Sequence, residues 1–521
     1  MSKRRGGGAA VALLAGAAVA ALAGCGGSPE VHRPRLVLLY ATCTLAKDFL
    51  SPYDAAVSWT PEIGRFAGRG VVFRRHQTEA GLSGVAFASI LSGAQATRHG
   101  VFTHPTPLRD EVLLLTEAFA DAGFDVWFWG DHEMASPALG YAQGVPRAQV
   151  VAGAGDFAAP DPRRHHPGRE SFLRADDPRF LRILDGLRAD PGRRALVVTN
   201  FTVTHAPYSS AWLGALCRDT PGACAGVGER LEETAELFWR EYVDLSWNFD
   251  ATVRRLGWSA ADVARVATVA ELLYRSNVHR LDGLFGDVVR AIDARGLFEE
   301  SAIAFTADHG EVLHREGAQF RWNHGFALAP EVLGVPWLLA APGVAPGSWE
   351  GVTRSIDVFP TLAGLAGVPL ADDTVEGVNL APALRGDAPP PSLRALSHTA
   401  LVPEVLLRVS RERGGTRLDA LHPDRRGAGI WASLRDGDRV YKLARPDGPD
   451  GDLERFVYDL AIDPTEQRNL HDPSDAEQQR RFEDLDRRRR ALARRIDAAS
   501  KAAAVPDERS LEMLRRLGYV D

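Results

Sequence analysis

Asp308 and His309 stand together at the end of a short apolar run, Ala302 to Thr306, and Gly310 and Glu311 follow them. Such a run indicates a strand, and the glycine indicates a sharp turn directly after it. A carboxylate and an imidazole that are adjacent on a loop at a strand end can both point at one cation. We therefore predict that the pair binds a divalent metal ion; a capping Asp beside a structural His is the alternative.

The chain has only four cysteines, at positions 25, 43, 217 and 224. This number excludes a disulfide scaffold and a closed zinc site made of thiolates, so each cysteine is interpreted separately. Cys217 and Cys224 flank the turn-rich segment Arg218 to Ala223, which can close on itself. A disulfide bridge there suits an oxidising compartment, and two free thiols are the alternative.

The N-terminus has the features of an export signal. Three basic residues, at positions 3 to 5, precede an alanine-rich apolar run from about Ala9 to Leu22, and the segment ends in Leu22-Ala23-Gly24-Cys25. The run is shorter than the about 20 residues that a membrane-spanning helix needs. Its ending resembles the bacterial lipoprotein box, which makes Cys25 the lipidated first residue of the mature chain.

We therefore expect residues 1–24 to be a lipoprotein signal peptide and residues 25–34 a tether. The rest of the chain is expected outside the cytoplasm, anchored by lipid to a bacterial membrane, in the periplasm or at the cell surface. An uncleaved anchor is the alternative.

Short apolar runs that alternate with helical patterns must position the polar residues. The runs lie at 36–41, 126–129, 195–199, 302–306 and 336–339. Unalternating runs of this length are typical of strands that are covered on both faces. A helical spacing of apolar residues extends from Leu281 to Ile292, with Gly296 just beyond it. These patterns predict an α/β fold with a doubly wound, mostly parallel sheet flanked by helices, whose sites lie at the carboxyl ends of the strands.

The chain changes character after Gly386. A proline-rich stretch at 389–391 is followed by strand candidates at 429–434 and 439–443 and by a charged segment at 475–496. The charges indicate a solvated helix. We predict a catalytic-type domain over 35–386 and a smaller C-terminal α+β subdomain over 387–521 with a charged terminal helix.

Length and charge limit the functional classes. A chain of 521 residues accommodates one large α/β domain with additions, or about two to four domains. The 61 Lys and Arg residues against 68 Asp and Glu residues give a net charge of −7, which provides no positive field for nucleic acid. We therefore expect no nucleic-acid partner.

Several segments, in order along most of the chain, resemble the sulfatase family of the alkaline-phosphatase-like superfamily. They are Thr60-Pro61 with Arg65-Phe66, Gly70 to Phe73, Ala88 to Gly93, Arg98 to Val101, His205 to Tyr208, Tyr274 to Asp282, the Asp308 loop, Asn323 to Phe326, Val335-Pro336, Tyr458 to Leu460 with Asp463-Pro464 and Asn469-Leu470, and Leu517 to Val520. The agreement of so many ordered segments is not expected by chance. The resemblance implies the same α/β fold that the apolar runs predict.

The resemblance also implies site residues. In that family a divalent cation, usually calcium, is held by acidic residues at the first strand end and by the Asp and the His or Asn after a later strand, which matches Asp308 and His309. The family nucleophile is a formylglycine made from Cys or Ser in the pattern C/S-x-P-x-R. His205 and His324 match family histidines and are expected to contact the substrate or to act as acid and base, with structural histidines as the alternative.

Ser83 falls on the nucleophile position, but the surrounding pattern is broken. Val85 stands where the family has Pro, and Phe87 stands where it has Arg. We therefore expect Ser83 to remain an unmodified serine. As a nucleophile it would need a base or a metal ion to activate it; an ordinary buried or capping Ser is the alternative.

The first strand end departs from the family as well. The chain reads Ala41-Thr42-Cys43-Thr44-Leu45, with Cys43 where the family has an Asp. A thiolate ligand suits zinc rather than calcium, so calcium is expected from the resemblance and zinc if Cys43 takes part. Asp131-His132 stands near the place where some relatives have a Lys, which would make an anion-binding position acidic.

Three functions remain open. The protein is a hydrolase of sulfate esters, a relative that uses an unmodified Ser as a phosphoryl nucleophile, or a catalytically inactive surface protein whose pocket binds a sugar or a partner. The expected substrate is a sulfated or phosphorylated small molecule or glycan. We expect the chain to contact the membrane through its lipid anchor.

Overall fold

The computed structural model describes residues 33–502, apart from 104, 153–171, 225–229, 248, 316–320, 326–327, 372, 400–430 and 445–452. Cys25, the signal peptide and the segment Leu517 to Val520 lie outside the described residues. Among the residues that are described, no helix combines the length and the apolar character that crossing a membrane requires.

The described residues form twelve strands in two sheets. Their bounds are β1 (Leu36–Thr42), β2 (Val71–Gln77), β3 (Asp125–Gly130), β4 (Val150–Ala152), β5 (Ala195–Asn200), β6 (Ser301–Ala307), β7 (Trp337–Ala340), β8 (Gly347–Arg354), β9 (Arg394–His398), β10 (Ala432–Asp436), β11 (Arg439–Ala444) and β12 (Glu454–Asp459). The large sheet has the order β4-β3-β5-β1-β6-β7-β2-β8. Within it only β7 pairs antiparallel to its neighbours, so the predicted mostly parallel sheet is confirmed.

All seven residues of the central strand β1 are buried, because both faces of the sheet are covered. Val37 and Leu39 belong to one hydrophobic core, and Leu38 and Tyr40 belong to the core on the other face. A strand that is covered on both faces has a continuous apolar run in its sequence, and this run allowed β1 to be predicted. Its pairing with β6 runs in register from Leu36 opposite Ser301 to Thr42 opposite Ala307, so that the residues following both strands emerge side by side.

Thirteen α-helices flank the sheets in the described part of the chain. Their bounds are α1 (Pro61–Ala67), α2 (Ser83–Ser92), α3 (Ala96–His99), α4 (Leu115–Asp121), α5 (Pro178–Ala189), α6 (Leu213–Asp219), α7 (Leu231–Trp247), α8 (Phe249–Leu256), α9 (Ala260–Asp293), α10 (Pro330–Leu333), α11 (Val358–Ala366), α12 (Ala381–Leu384) and α13 (Ala476–Ala502). The helical pattern over 281–292 lies in α9, which begins 21 residues earlier, at Ala260, with a capping box of Ser259 and Asp262.

The smaller sheet follows Gly386 in the chain. It is antiparallel, with the order β12-β11-β10-β9. The predicted strand at 429–434 corresponds to β10, which begins at Ala432, and the strand at 439–443 corresponds to β11. The charged segment forms α13, whose Phe482 and Leu485 pack in the small core of this sheet. The domain boundary at 386 stays a prediction.

A disulfide bond joins Cys217 and Cys224. It closes the loop at the end of α6, as the turn-rich segment between the two residues predicted. Cys43 is the one free cysteine among the described residues, and it is buried.

Candidate functional site

The candidate site lies where strand ends of the large sheet converge. Cys43 follows β1, His132 follows β3, His205 follows β5, and Asp308 and His309 follow β6. Because parallel strands end at one edge of the sheet, residues far apart in sequence meet there.

Ser83 is the first residue of helix α2 and is 2% exposed. Its hydroxyl oxygen lies 3.0 Å from Nε2 of His309 and 3.3 Å from Sγ of Cys43. The predicted nucleophile is therefore in contact with two of the three predicted metal ligands.

The contacts of His309 determine which ring nitrogen carries the hydrogen. Its Nδ1 lies 2.9 Å from the carbonyl oxygen of Gly310, which can only accept a hydrogen bond. Nδ1 therefore donates, and Nε2 accepts the hydrogen bond from the hydroxyl of Ser83. Burial, followed by the nearby His324, lowers the pKa of His309 well below its ordinary value, which keeps the ring neutral.

Asp308 is fully buried and only half satisfied. Its Oδ1 accepts hydrogen bonds from the backbone N–H groups of Thr44 (2.9 Å) and His309 (2.6 Å). Its Oδ2 has no hydrogen-bond partner among the described residues. Burial raises the pKa of this carboxyl group. An unpartnered buried carboxylate oxygen is costly, and a bound cation or a proton would remove that cost.

Cys43, His132 and Asp308 offer ligand atoms that lie within 4.8 Å of one another, and all three residues are buried. Sulfur, nitrogen and a single carboxylate suit a zinc-type ion, whereas calcium takes about six to eight oxygen ligands. The described residues of this cluster thus fit a divalent transition metal and do not fit the calcium that the resemblance implied.

Cys43 and His132 must each change the position of a proton or a ring before they bind a metal ion. Burial, followed by the charge of Asp308, raises the pKa of the Cys43 thiol well above its ordinary value, so a cation is needed to stabilise the thiolate. Nδ1 of His132 accepts the N–H of Met134 at 3.1 Å. The ring would therefore have to give up this bond or turn over to present a lone pair, since Nε2 otherwise carries the hydrogen.

The predicted third ligand was His309 rather than His132. In the structure Nε2 of His309 lies 3.0 Å from Ser83 and 3.4 Å from Oδ2 of Asp308. His309 therefore stands between the carboxylate and the hydroxyl, and its geometry also suits a base for Ser83.

His324 lies beside His309, and His205 lies beside His324, so the structure brings these three imidazoles together. The His324 ring stacks on the His309 ring with centroids 4.4 Å apart, and the His205 ring meets His324 edge-on at 5.1 Å. His324 is buried, whereas His205 is partly exposed. The surrounding protein shields the His205 ring from water, and this desolvation, followed by the nearby His324, lowers the pKa of His205 well below its ordinary value. Imidazole side chains at such a site can accept a proton from a bound ester or water, or donate one to it.

Sequence reasoning assigned no role to Glu311 or Tyr208, and it did not propose His132 as a ligand. Oε1 of Glu311 lies 3.2 Å from Nδ1 of His324, and Oε2 accepts a hydrogen bond from the Tyr208 hydroxyl at 3.0 Å. The sequence offered only their positions as an indication: Glu311 lies two residues after His309, and His132 directly follows Asp131 after β3.

Phe87 stands where the resemblance implies an Arg, and Asp131 lies near the place where it implies a Lys in some relatives. Oδ1 of Asp131 accepts the backbone N–H of Thr202 at 2.9 Å and so helps to hold the loop after β5. Phe87 is 1% exposed, and its ring lies 5.8 Å from the His132 ring in an edge-on arrangement. An apolar ring therefore lies beside His132, at the position where the resemblance implied a cationic side chain.

Known proteins support the resemblance. The family model described as Sulfatase matches residues 44–368. Steryl-sulfatase of Mus musculus is 27% identical over 413 residues, which cover 68% of this chain and 66% of that protein. Choline-sulfatase of Rhizobium meliloti is 34% identical over 115 residues, or 22% of each chain. The alignments thus span at most about two thirds of these curated relatives.

Solved structures share the fold. A protein in complex with its substrate D-glucosamine-2-N,6-O-disulfate aligns with a TM-score of 0.61 and 17% identity, covering 91% of this chain and all of that one. A phosphonate monoester hydrolase of Agrobacterium radiobacter aligns with a TM-score of 0.58 and 20% identity, covering 89% and 96%. Since the family model covers more than half of the chain and the fold agrees, this protein belongs to the sulfatase family of hydrolases.

Proposed function

We propose that the protein hydrolyses phosphate and sulfate monoesters with an unmodified Ser83 as the nucleophile. The observation that carries this proposal is the hydrogen bond from the Ser83 hydroxyl to Nε2 of His309, at 3.0 Å. The bond between Nδ1 of His309 and the Gly310 carbonyl leaves Nε2 as the acceptor. A serine whose hydroxyl donates to a neutral imidazole has the base that this weak nucleophile needs.

The position of Ser83 at the start of helix α2 supports the same role. The helix has ten residues, and its first backbone N–H groups carry partial positive charge. An anionic phosphoryl or sulfuryl group near Ser83 would be stabilised by these groups. Val85 and Phe87, in place of Pro and Arg, lack the features that formylglycine formation requires, which supports an unmodified side chain.

The proposed reaction has two displacements at phosphorus. In the first, the Ser83 oxygen bonds to phosphorus, the bond to the ester oxygen breaks, and the Ser83 proton passes to His309. Protonated His324 gives its proton to the departing alcohol. In the second, neutral His324 takes a proton from the attacking water, and the bond from phosphorus to the Ser83 oxygen breaks. His309 then returns the proton to Ser83, so that ester and water become alcohol and phosphate.

Sulfate esters would follow the same path more slowly. Displacement at sulfur leaves a sulfated serine, and its release is slow without the diol of a formylglycine. We therefore expect phosphate monoesters to be hydrolysed at least as fast as sulfate monoesters. Sulfated or phosphorylated sugars belong in the substrate panel because a structural neighbour is bound to a disulfated glucosamine.

We further propose that Cys43, His132 and Asp308 hold a zinc-type cation. The unpartnered Oδ2 of buried Asp308 supports this assignment. When bound, such an ion supplies positive charge for the ester oxygens and for the Ser83 oxygen. His309 remains the group that takes the Ser83 proton.

A catalytically inactive binding protein is the second candidate. The observation that favours it is the apolar ring of Phe87 in place of a cationic side chain, since the lost charge would have stabilised the transition state. The near-complete burial of Ser83 and His309 also favours it. Both candidates place the protein outside the cytoplasm as a lipoprotein, which the N-terminal Lys-Arg-Arg, the apolar run and Cys25 support.

Paired substrates test the proposal. Wild type, Ser83→Ala and His309→Gln are assayed on 4-nitrophenyl phosphate and 4-nitrophenyl sulfate, and intact peptide mass spectrometry covers Phe73 to Arg98. Ser92→Ala is the matched control, because its hydroxyl lies on the same helix and donates only to the Ala88 carbonyl among the described contacts.

We expect an unmodified Ser83 and phosphate turnover that equals or exceeds sulfate turnover. Ser83→Ala should abolish turnover, and His309→Gln should lower it by about a hundredfold or more, which is the typical contribution of a general base. A formylglycine at position 83 with sulfate as the preferred substrate would restore the ordinary sulfatase mechanism. An unmodified Ser83 with neither activity would favour the binding protein.

A further inference from the structure

Glu311 is a buried carboxylate that contacts the site residue His324. It is 1% exposed and lies on the loop after β6, two residues beyond His309. One of its oxygens lies 3.2 Å from Nδ1 of His324, and the other accepts the Tyr208 hydroxyl at 3.0 Å. The described contacts thus use both carboxylate oxygens.

The contact with Glu311 determines which nitrogen of the His324 ring carries a hydrogen. An ionised carboxylate can only accept hydrogen bonds, so Nδ1 of His324 carries the hydrogen. The second nitrogen, Nε2, is then the atom that can take up or release a proton.

Tyr208 fixes the other end of the carboxylate. Its ring is fully buried and meets the Tyr274 ring edge-on with centroids 5.1 Å apart. Burial, followed by Glu311, raises the pKa of the Tyr208 hydroxyl well above its ordinary value, so the hydroxyl stays a donor. Tyr208 and His205 lie on the same loop after β5, and this loop therefore holds both a site imidazole and the anchor of Glu311.

The stacking of His324 places it next to the proposed base. Its ring centroid lies 4.4 Å from that of His309, with an angle of 27° between the rings. His309 contacts the Ser83 hydroxyl, so His324 stands one ring further from the nucleophile. This arrangement suits a mechanism in which His309 takes the proton of the attacking oxygen and His324 gives a proton to the departing oxygen.

We propose that Glu311 is a positioning residue that holds His324 with Nε2 free, so that His324 protonates the departing alcohol. The proposal rests on the proposed ester hydrolysis. When the bond from phosphorus to the ester oxygen breaks, its electron pair stays on that oxygen, which takes the Nε2 proton of the imidazolium. Glu311 accepts the hydrogen bond from Nδ1 of His324 before and after this transfer.

The leaving group provides the test. Phenolate is a much stronger base than 4-nitrophenolate, so phenyl phosphate needs the proton far more than 4-nitrophenyl phosphate. In Glu311→Gln we expect kcat/KM to fall at least about tenfold more for phenyl phosphate than for 4-nitrophenyl phosphate. Tyr208→Phe removes one hydrogen bond but retains the charge of Glu311 and should show the same selectivity to a smaller degree.

A double-mutant comparison separates positioning from simple structural support. In a His324→Gln background the Glu311→Gln change should have little further effect on phenyl phosphate, because Glu311 acts through His324. Glu241→Gln is the matched control at a buried carboxylate that pairs with Arg255 and Arg240, and it should leave the ratio of the two substrates unchanged. An equal loss on both substrates in Glu311→Gln would overturn the proposal and leave the proposed hydrolysis standing.

Nitrogen-15 NMR of the histidine side chains provides a readout that needs no turnover. Wild type should show His324 with its hydrogen on Nδ1, and Glu311→Ala should change this signal. A neutral His324 ring whose single hydrogen lies on Nε2 instead of Nδ1 would overturn the proposal. Absence of hydrolysis of either ester by wild type would overturn both the proposed function and the proton transfer, and the NMR result would then decide the orienting role alone.

Discussion

The sulfur of Cys43 lies 3.3 Å from the hydroxyl oxygen of Ser83. The proposed metal ligand after β1 thus contacts the proposed nucleophile. Any change in the chemistry of Cys43 is therefore expected to alter both metal preference and the environment of the nucleophile.

Replacing Cys43 by Asp should change the preferred metal. The wild-type donors are sulfur, nitrogen and one carboxylate, which suit zinc, whereas Cys43→Asp restores an oxygen ligand and should shift binding toward calcium. Elemental analysis and thermal shift with each ion measure the preference. Asp308→Ala should lose the ion, and Asp48→Ala, at an exposed carboxylate, should not. Equal metal content in wild type and Asp308→Ala would refute the assignment, and calcium alone in wild type would exclude Cys43 as a ligand.

Replacing Cys25 by Ser should prevent lipid attachment. The basic start, the short apolar run and the small residues before Cys25 predict cleavage and acylation at this residue. We expect the variant to be released from the membrane fraction or to keep its signal peptide. Cell fractionation and mass spectrometry of the N-terminal peptide measure both outcomes. Unchanged processing and unchanged membrane partitioning of the variant would contradict the prediction.

Acid should destabilise the fold through buried histidines. Burial lowers the pKa of His76 to about 3, and burial lowers that of His99 to about 4 although the charge of Glu79 acts in the opposite direction. The unfolded chain binds these protons near pH 6.5 and the folded chain does not. The free energy of unfolding therefore falls as the pH drops below about 6.5, by about 2 kcal/mol per residue down to pH 5.

Urea unfolding at pH 7, 6 and 5 measures this effect. His76→Leu should reduce the pH dependence by about 2 kcal/mol over this range, because the unfolded variant no longer takes up that proton. A variant with the full wild-type pH dependence would show that His76 does not contribute.

Loss of the disulfide between Cys217 and Cys224 should lower stability. The bridge closes a loop with a sequence separation of 7, and for so short a loop the entropy model gives roughly 2 to 3 kcal/mol. Asp219 within this loop also lies 3.2 Å from Nε2 of His279 on α9. Thermal unfolding of Cys217→Ser/Cys224→Ser should match that of reduced wild type. An unfolding temperature of wild type that does not change with reductant would contradict the prediction.

Local patterns in the sequence predicted the elements and part of the site. The apolar run at 36–41 became β1 because a strand buried on both faces leaves a continuous signal in adjacent residues. Asp308 and His309 were identified for the same local reason, as polar residues immediately after such a run. The disulfide could also be predicted locally, because its two cysteines are only seven residues apart in the sequence.

Tertiary structure decided how these residues are used. Cys43, His132 and Asp308 come together only because β3 and β6 both lie near β1 in the sheet order, and strand order depends on long-range packing rather than on any local pattern. The hydrogen position on His309 depends on the Gly310 carbonyl, and that on His324 depends on Glu311. Such assignments follow from distances of about 3 Å between groups. These distances are set by the folded structure, and they cannot be obtained from the spacing of residues along the chain.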